Sequence, residues 1–516
     1  MLRRTRRKQD QLVEIRMNES SEPDDLSFDE IVQGLVYSRV FMSKEDRSVK
    51  YHLIEPYIDD ELSDIIEEVK QRVIDRASFD RLATDDREKD FEKVYSGIIS
   101  ELALDFTPAE NTVMKYYVRR DVVELGRIQG LMYDQSIEDV SCDGQNVPVF
   151  VFHRAHGFIP SNVIFKDEGE LNTYVKKIVQ DSGKHISISV PIIDATLPDG
   201  SRLQASYGRY ITSNGPAFTI RKFRSNPLSP VSLIMTGSVS ARIMSYLWIL
   251  TEYGANMMVA GGTGSGKTTL LNAILLFIPP QMKVVSIEDT REINIPHENW
   301  IATVTRSGFG ALNKSTGKRA GEIDMFDLLA ASLRQRPNYI IIGEVRGKEA
   351  FTVFQAMSAG RYGFGTFHAE DPKTLIHRLE SPPINIPRTL ITALDVIIMQ
   401  SQLSYNNKMV RRATSISEIT GLDQATNDII VNNIFKWTPA NDVFTFSGFS
   451  YVMNRIAERI GKTESDLEHE AENRERILNK MIEKKFYTYR DVTRMITMFY
   501  KDKEELLKEL ELNLET

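Results

Sequence analysis

A single cysteine, Cys142, is present in 516 residues, which excludes an internal disulfide and any zinc site built from several thiolates. The composition suits a reducing compartment, and redox chemistry is not expected. Long apolar runs are equally absent. Nothing approaches the ~20 residues of a membrane-spanning helix, and the basic start MLRRTRRKQDQ is followed by no apolar signal core. The reading is a cytoplasmic protein whose basic tip is either a solvated terminus or a contact for anionic lipid. A surplus of positive charge is missing too. Lys and Arg number 64 against 72 Asp and Glu, a net charge of -8, and no basic, aromatic-rich stripe runs along the chain, so nucleic acid is not an expected partner. Repeats and low-complexity tracts are lacking, and 41% hydrophobic with 26% charged residues describes a folded globular chain.

What is present is a phosphate loop. Gly261-Gly262-Thr263-Gly264-Ser265-Gly266-Lys267-Thr268 fits G-x-x-x-x-G-K-[ST] at every fixed position. Its glycines let backbone N–H groups close around phosphates, Lys267 reaches the β- and γ-oxygens, and the Thr268 hydroxyl suits Mg²⁺, with Thr269 next in the same turn. The short apolar run 256–260 before it reads as a strand and the run 269–276 after it as a helix, which is the context this loop requires. ATP with Mg²⁺ is the implied ligand.

The chain is too long for one ordinary core. Residues 1–30 read as a disordered leader, basic then acidic. Residues 31–130 read as a small α+β or helical region: runs 36–42 and 49–55 flank the charged turn SKEDRS, and Leu62, Ile65, Ile66, Val69 and Val73 recur at helical spacing. Residues 131–223, with strands at 147–152, 203–207 and 217–223 and a polar helix near 167–182, read as an α+β domain with an antiparallel sheet. The proline-bearing stretch 224–231 reads as a linker and hinge. From 232 to 516, helices alternate with short apolar strands (284–288, 339–344, 365–368 and 396–400), which predicts an α/β domain on a mainly parallel sheet. The polar, Gly-rich stretch between 300 and 325 reads as a mobile loop. Further β-like segments and two amphipathic helices, one marked by Leu467, Leu478 and Met481 and one by Val492, Met495 and Ile496, close the domain.

Four groups of residues accompany the loop. Glu288, in Ser286-Ile287-Glu288-Asp289, stands at a strand end, where ligand sites of open α/β sheets lie, and is placed to polarise an attacking water. Tyr339-Ile340-Ile341-Ile342-Gly343-Glu344 is an apolar strand ending in an acid, with glycine where a metal-binding aspartate commonly stands. Glu344 is therefore read as acting on the metal or nucleophile through water, leaving Thr268 as the direct protein ligand. Which glutamate is the base stays open. His368 ends another short strand, positioned for the γ-phosphate or for linking the glutamates to it. Arg202 and Arg221, outside the loop's domain, supply fixed cations of the kind that phosphoryl transfer uses.

Together, GGTGSGKTT, SIEDTREI, SLRQRPNYIIIGEVRGKEA and GTFHAE, preceded by DATLPDGSR, resemble the type II/type IV secretion ATPase superfamily over residues 110–400. The archaeal members are the most similar, and the four-cysteine zinc insert of bacterial pilus-assembly members is lacking. The resemblance implies a RecA-like ATPase domain preceded by an α+β domain and a small N-terminal extension, with nucleotide held between domains. It implies a homo-hexamer that works at the cytoplasmic membrane through a polytopic platform protein and, indirectly, prepilin-type filament subunits. By position it matches Lys267 and Thr268 to the Walker A loop, Glu288 to the Asp box, Glu344 to Walker B, His368 to the His box, and Arg202 and Arg221 to phosphate-sensing arginines. Arg334, Arg336 and Arg346 fall in segments where intersubunit and structural roles compete. One departure stands out: Gly360 is followed by Arg361, where the family usually has a second histidine, so acid/base chemistry is lost there. The implied function is an ATP-driven motor for an archaeal pilus-like filament or type II-like secretion. Rotation of a swimming filament and nucleic-acid translocation are the alternatives.

Overall fold

The computed structural model describes residues 24–76, 84–102, 106–223, 227–306, 308, 313, 317–406 and 408–512. The chain forms two compact units, Met1–Phe223 and Arg224–Thr516.

The first unit is built on strands β1 (Asp24–Val32), β2 (Val36–Met42), β3 (Val49–Ile54), β4 (Ile137–Cys142), β5 (Pro148–His153), β6 (Gly157–Ile164), β7 (Ile192–Thr196), β8 (Arg202–Ser206) and β9 (Ala217–Arg221). They make one nine-stranded sheet in the order β1-β2-β3-β6-β5-β4-β9-β8-β7. Its seam is the parallel contact of β3 with β6 at Tyr51 and Ser161. There the Asn162 side-chain amide acts as a substitute peptide group: its Oδ1 accepts from the Leu53 N–H (2.8 Å) and its Nδ2 donates to the Leu53 carbonyl (2.9 Å). Strands from regions 31–130 and 131–223 thus share a sheet and one apolar core running from Val36 to Ile220. The disordered leader needs correcting over its last residues, because β1 begins at Asp24 and pairs antiparallel with β2. An edge strand buries little, so acidic residues do not prevent it from pairing. Residues 1–23 lie outside the described residues.

The second unit begins with a short helix, Pro230–Met235, whose first position is proline and whose N-cap is Ser229. The proposed linker therefore ends in regular structure, and its residues 224–226 lie outside the described residues. Strands β10 (Met257–Ala260), β11 (Val284–Glu288), β12 (Trp300–Val304), β13 (Tyr339–Ile342), β14 (Tyr362–Phe367), β15 (Val396–Tyr405), β16 (Lys408–Leu422), β17 (Ile429–Thr438) and β18 (Val443–Phe446) follow. The order is β12-β11-β13-β14-β10-β15-β16-β17-β18. Pairings from β12 through β15 are parallel and those beyond β15 antiparallel. The unit is an α/β domain whose parallel half carries an antiparallel extension. β10, β11 and β13 are buried at every position, as parallel strands covered on both faces must be. Successive side chains go to opposite cores: Met257, Val259, Tyr339 and Ile341 join one, Met258, Ala260, Ile340 and Ile342 the other.

Part of the stretch between 300 and 325 departs from the loop expected of it, and residues 307, 309–312 and 314–316 lie outside the described residues. Its first residues form β12, parallel to β11, with the Trp300 indole N–H donating to Ser286 Oγ at 3.0 Å. Arg306 and Ile323 then exchange backbone hydrogen bonds of 2.9 and 3.0 Å. The five residues of β12, WIATV, are mostly apolar and precede the polar run that begins at Thr305. Four helices, Tyr451–Ile460, Glu464–Glu483, Tyr489–Lys501 and Lys503–Glu509, close the chain where two were expected. Fully buried Arg474 ties this tail to the domain. It donates to Glu252 at 2.7 Å and lies over the rings of Trp248 and Phe499. Among the described residues no helix is long and apolar enough to cross a membrane.

Candidate active site

Parallel pairing sends the carboxyl ends of β11, β13, β14 and β10 to one edge of the sheet, side by side. Backbone hydrogen bonds stitch that edge: Gly343 N–H to Ile287 O (2.9 Å), Val345 N–H to Thr366 O (2.9 Å) and Gly261 N–H to Phe367 O (3.2 Å). Each strand end delivers one part: β11 ends in Glu288, Gly343 and Glu344 follow β13, His368 follows β14 and the phosphate loop follows β10. The crevice outside the carboxyl ends of an open α/β sheet is where ligands bind.

The loop fits against neighbouring β15. A Cβ on Gly261 would lie 2.0 Å from the Gln400 carbonyl oxygen, so only glycine allows this approach. Gly266 has φ +92° and caps the helix Lys267–Leu275, a left-handed turn that aims the first N–H groups of the helix into the loop. Ser265 Oγ donates to Gly262 O at 2.9 Å, and Lys267 Nζ donates to the carbonyls of Gly261 (3.1 Å) and Gly262 (2.8 Å). The lysine is thus folded over its own loop, where phosphate oxygens would exchange with those carbonyls. Thr268 and Thr269 sit half-buried in the first helical turn. The Thr268 hydroxyl has no hydrogen-bond partner among the described residues, which suits a position that ligates a cation.

Glu288 is buried to 1% exposure. Its Oε1 accepts from the backbone N–H groups of Glu292 (2.8 Å) and Ile293 (2.7 Å), while its Oε2 is buried without a partner among the described residues. Burial pushes this carboxyl up to about 7, against the pull of those two N–H donors. One oxygen is pinned and the other is free, on a group poised near neutrality, which is what a general base requires. Gly343 explains the departure from an aspartate on β13: a Cβ there would stand 3.0 Å from Glu288 Cγ. We expect Gly343→Ala to displace the carboxylate and lower turnover about tenfold with ATP affinity retained, as read from kcat against KM.

Glu344 is half-buried and paired with Arg346, whose guanidinium also reaches Asp289 at 3.7 Å. Arg346 therefore bridges the acids that follow β11 and β13. His368 is exposed, and its carbonyl accepts from Arg378. Arg334 and Arg336 are exposed after the helix Met325–Leu333. Arg361 belongs to the opposite edge. It precedes β14, and its guanidinium donates to Pro337 O ahead of β13 at 3.2 Å, so it ties two strand starts together. At about 3.3 Å per residue, the length of β14 separates it from His368.

In the first unit, Arg202 and Arg221 are direct cross-strand partners on β8 and β9. Asp139 of β4 pairs with Arg221 on the other side, and Thr196 of β7 with Arg202. Cross-strand partners share a face, so Asp139, Arg221, Arg202 and Thr196 form one row. Both arginines are exposed. Burial raises the Asp139 carboxyl while Arg221 pulls it back, and its Oδ1 is buried without a hydrogen-bond partner among the described residues. Sequence reasoning passed over Asp139, whose only signal is strand register. It also passed over Arg411 and Gln402, a cross-strand pair of β16 and β15 that borders the loop at Gly264 and Gly266.

Residues 124–440, more than half of the chain, match the sequence profile of the Type II/IV secretion system protein family. The chain belongs to that family. An uncharacterized protein of Methanocaldococcus jannaschii is 38% identical over 80% of this chain and 73% of its own length. A second from the same organism is 49% identical over 50% of this chain and 92% of its own. A crystal structure of the VirB11 ATPase from the Brucella suis type IV secretion system is similar at 22% identity, over 55% of this chain and 89% of that one, with a TM-score of 0.29. Membership in this family gives secretion machinery as the general setting.

Proposed function

We propose that this chain is a Mg²⁺-dependent ATPase and the motor subunit of an archaeal filament-assembly or type II-like secretion machine, working as a homo-hexamer on a membrane platform protein at the cytoplasmic face. The supporting observation is the stitched edge of the second sheet, which gathers the phosphate loop, Glu288, Glu344 and His368. ATP phosphates would lie in the loop and at the start of the helix Lys267–Leu275, with Lys267 turned from its carbonyls to the β- and γ-oxygens. The Thr268 hydroxyl would hold Mg²⁺ directly and Glu344 through water, and the bound cation would neutralise phosphate charge. Glu288 Oε2 accepts the proton of the attacking water while its Oε1 is kept in place by two N–H groups. By resemblance, Arg202 and Arg221 of the first unit are read as phosphate-sensing arginines, fixed cations of the kind that phosphoryl transfer uses. The archaeal setting rests on the two Methanocaldococcus jannaschii relatives.

Phosphate release by the purified protein with Mg²⁺ and ATP tests the activity, and its absence from oligomeric protein would refute the reading. Single-stranded DNA should leave the rate unchanged, since strong stimulation would point to a nucleic-acid pump. Glu344→Gln should bind ATP within about threefold of the parent protein and hydrolyse it at least ~50-fold more slowly, because it keeps the shape of the side chain and loses the charge beside the metal. Retention of full turnover would leave Glu344 as no more than the partner of Arg346.

A further inference from the structure

β16 carries two neighbouring arginines that point to opposite uses. Arg412 is buried and satisfied: Nε and Nη2 form a two-pronged pair with Asp442 (2.8 and 2.9 Å), and Nη1 donates to the carbonyls of Thr236 and Arg411. The Arg411 side chain makes a single hydrogen bond among the described residues, from Nε to the Gly264 carbonyl at 3.0 Å. It has no carboxylate partner among them, and both of its Nη groups remain available for a ligand. Its position is equally specific. The Arg411 Cδ lies 3.2 Å from where a Cβ on Gly266 would stand, and the side chain of its cross-strand partner Gln402 places Oε1 3.2 Å from the corresponding point at Gly264. The stem of an arginine is thus laid across the phosphate loop, with its head anchored to the loop's own backbone. A cation that has no anion of its own, held against a cradle of N–H groups built for anions, lacks only the phosphate.

We propose that Arg411 is a nucleotide-binding residue contributed by the antiparallel extension of the sheet, its Nη groups donating to the phosphate oxygens of the nucleoside triphosphate bound in the 261–268 loop. The assignment rests on the proposed ATP site and extends it, since β16 lies two strands beyond the one that carries the loop. It gives β16 direct contact with the phosphates. The same strand carries buried Glu418, which accepts from the Tyr451 N–H (2.9 Å) at the start of the helix Tyr451–Ile460.

The experiment measures ATP and pyrophosphate affinity of the full-length protein, at several KCl concentrations, for the parent, Arg411→Met and Arg411→Lys. Methionine keeps an apolar stem over Gly266 and removes the charge, while lysine keeps the charge and loses the Nε donor at its place. Arg411→Met should weaken ATP and pyrophosphate binding tenfold or more and flatten the salt dependence, with a melting temperature within about 2 °C of the parent. Arg411→Lys should recover affinity to within about threefold and restore the salt dependence. Parent-like affinity in Arg411→Met overturns the assignment. So does an Arg411→Lys as weak as Arg411→Met, because the arginine would then only brace the Gly264 carbonyl. Should Arg411→Met not fold, Arg411→Gln takes its place and is judged by the same criteria. A parent protein that does not bind ATP removes the proposed function itself, an outcome distinct from loss of Arg411 alone.

Discussion

Lys267→Ala is expected to remove ATP turnover, lowering kcat/KM by about 10³-fold or more, with the fold intact. The size follows from the loss of a charged donor aimed at oxygens whose charge changes in the transition state. Single donors in such positions contribute about 10²–10³ in rate, and a cation facing the β- and γ-oxygens also supports binding. The structure gives a reason for the fold to survive. The lysine bonds two carbonyls of its own loop, but the loop is held independently by Ser265 on Gly262, by the Gly261 N–H on β14 and by the fit of Gly261 against Gln400. A melting temperature within a few degrees of the parent, alongside absent phosphate release, is the expected pair of results. Parent-like turnover in the Lys267→Ala protein would sink the ATPase assignment.

Glu288→Gln should produce two large effects. Turnover should fall by about 10²–10⁴, the range contributed by a positioned general base, since glutamine offers no site for the water's proton. Stability relative to the parent should rise with pH. The Glu288 carboxyl releases its proton near the ordinary 4.5 in the unfolded chain and at about 7 in the folded one. Between those values the folded form binds more protons than the unfolded form, so stability declines as pH rises and the decline is complete above about 7. Glutamine keeps an oxygen for the N–H groups of Glu292 and Ile293 and never ionises. The variant's stability relative to the parent should therefore rise by about 2–3 kcal/mol from pH 5 to pH 8, on top of a fixed cost for burying the glutamine NH2 without a partner. Urea unfolding at the two pH values measures this, and parent turnover should itself rise through pH 7. A difference that does not change between the two pH values would mean that the buried carboxyl is not shifted. Unchanged turnover would transfer the base to Glu344.

Most of the site could be read along the chain because each part stands directly after an apolar strand. Glu288, Glu344, His368 and the loop are all strand-end residues, and parallel strands gather their ends without further instruction. Arg361 shows the same geometry from the other end of a strand. It lies close to His368 in sequence, but β14 runs between them, and six extended residues carry them to opposite edges. Asp139 and Arg411 were invisible for another reason. Each matters through a partner across a sheet, and pairing register is a property of the folded sheet that no single strand displays. Within 300–325, β12 was hidden because its five-residue run WIATV leads straight into the polar, Gly-rich residues from Thr305, and β1 was hidden among acidic residues. The shared sheet of the first unit depends on Asn162 imitating a peptide group beside Leu53, which no pattern of hydrophobicity records.

The close fit of Gly343 beneath Glu288 also limits how this site can change over time. One carboxylate and one hydrogen atom stand in tight contact between the ends of two adjacent strands, so each single step towards moving the acid from one strand to the other carries a cost. Enlarging position 343 first presses on the carboxylate, and shortening position 288 first leaves the water without its proton acceptor. Exchange at both positions avoids the two costs, and descendants of this sequence should tend to hold the two residues together or replace them together.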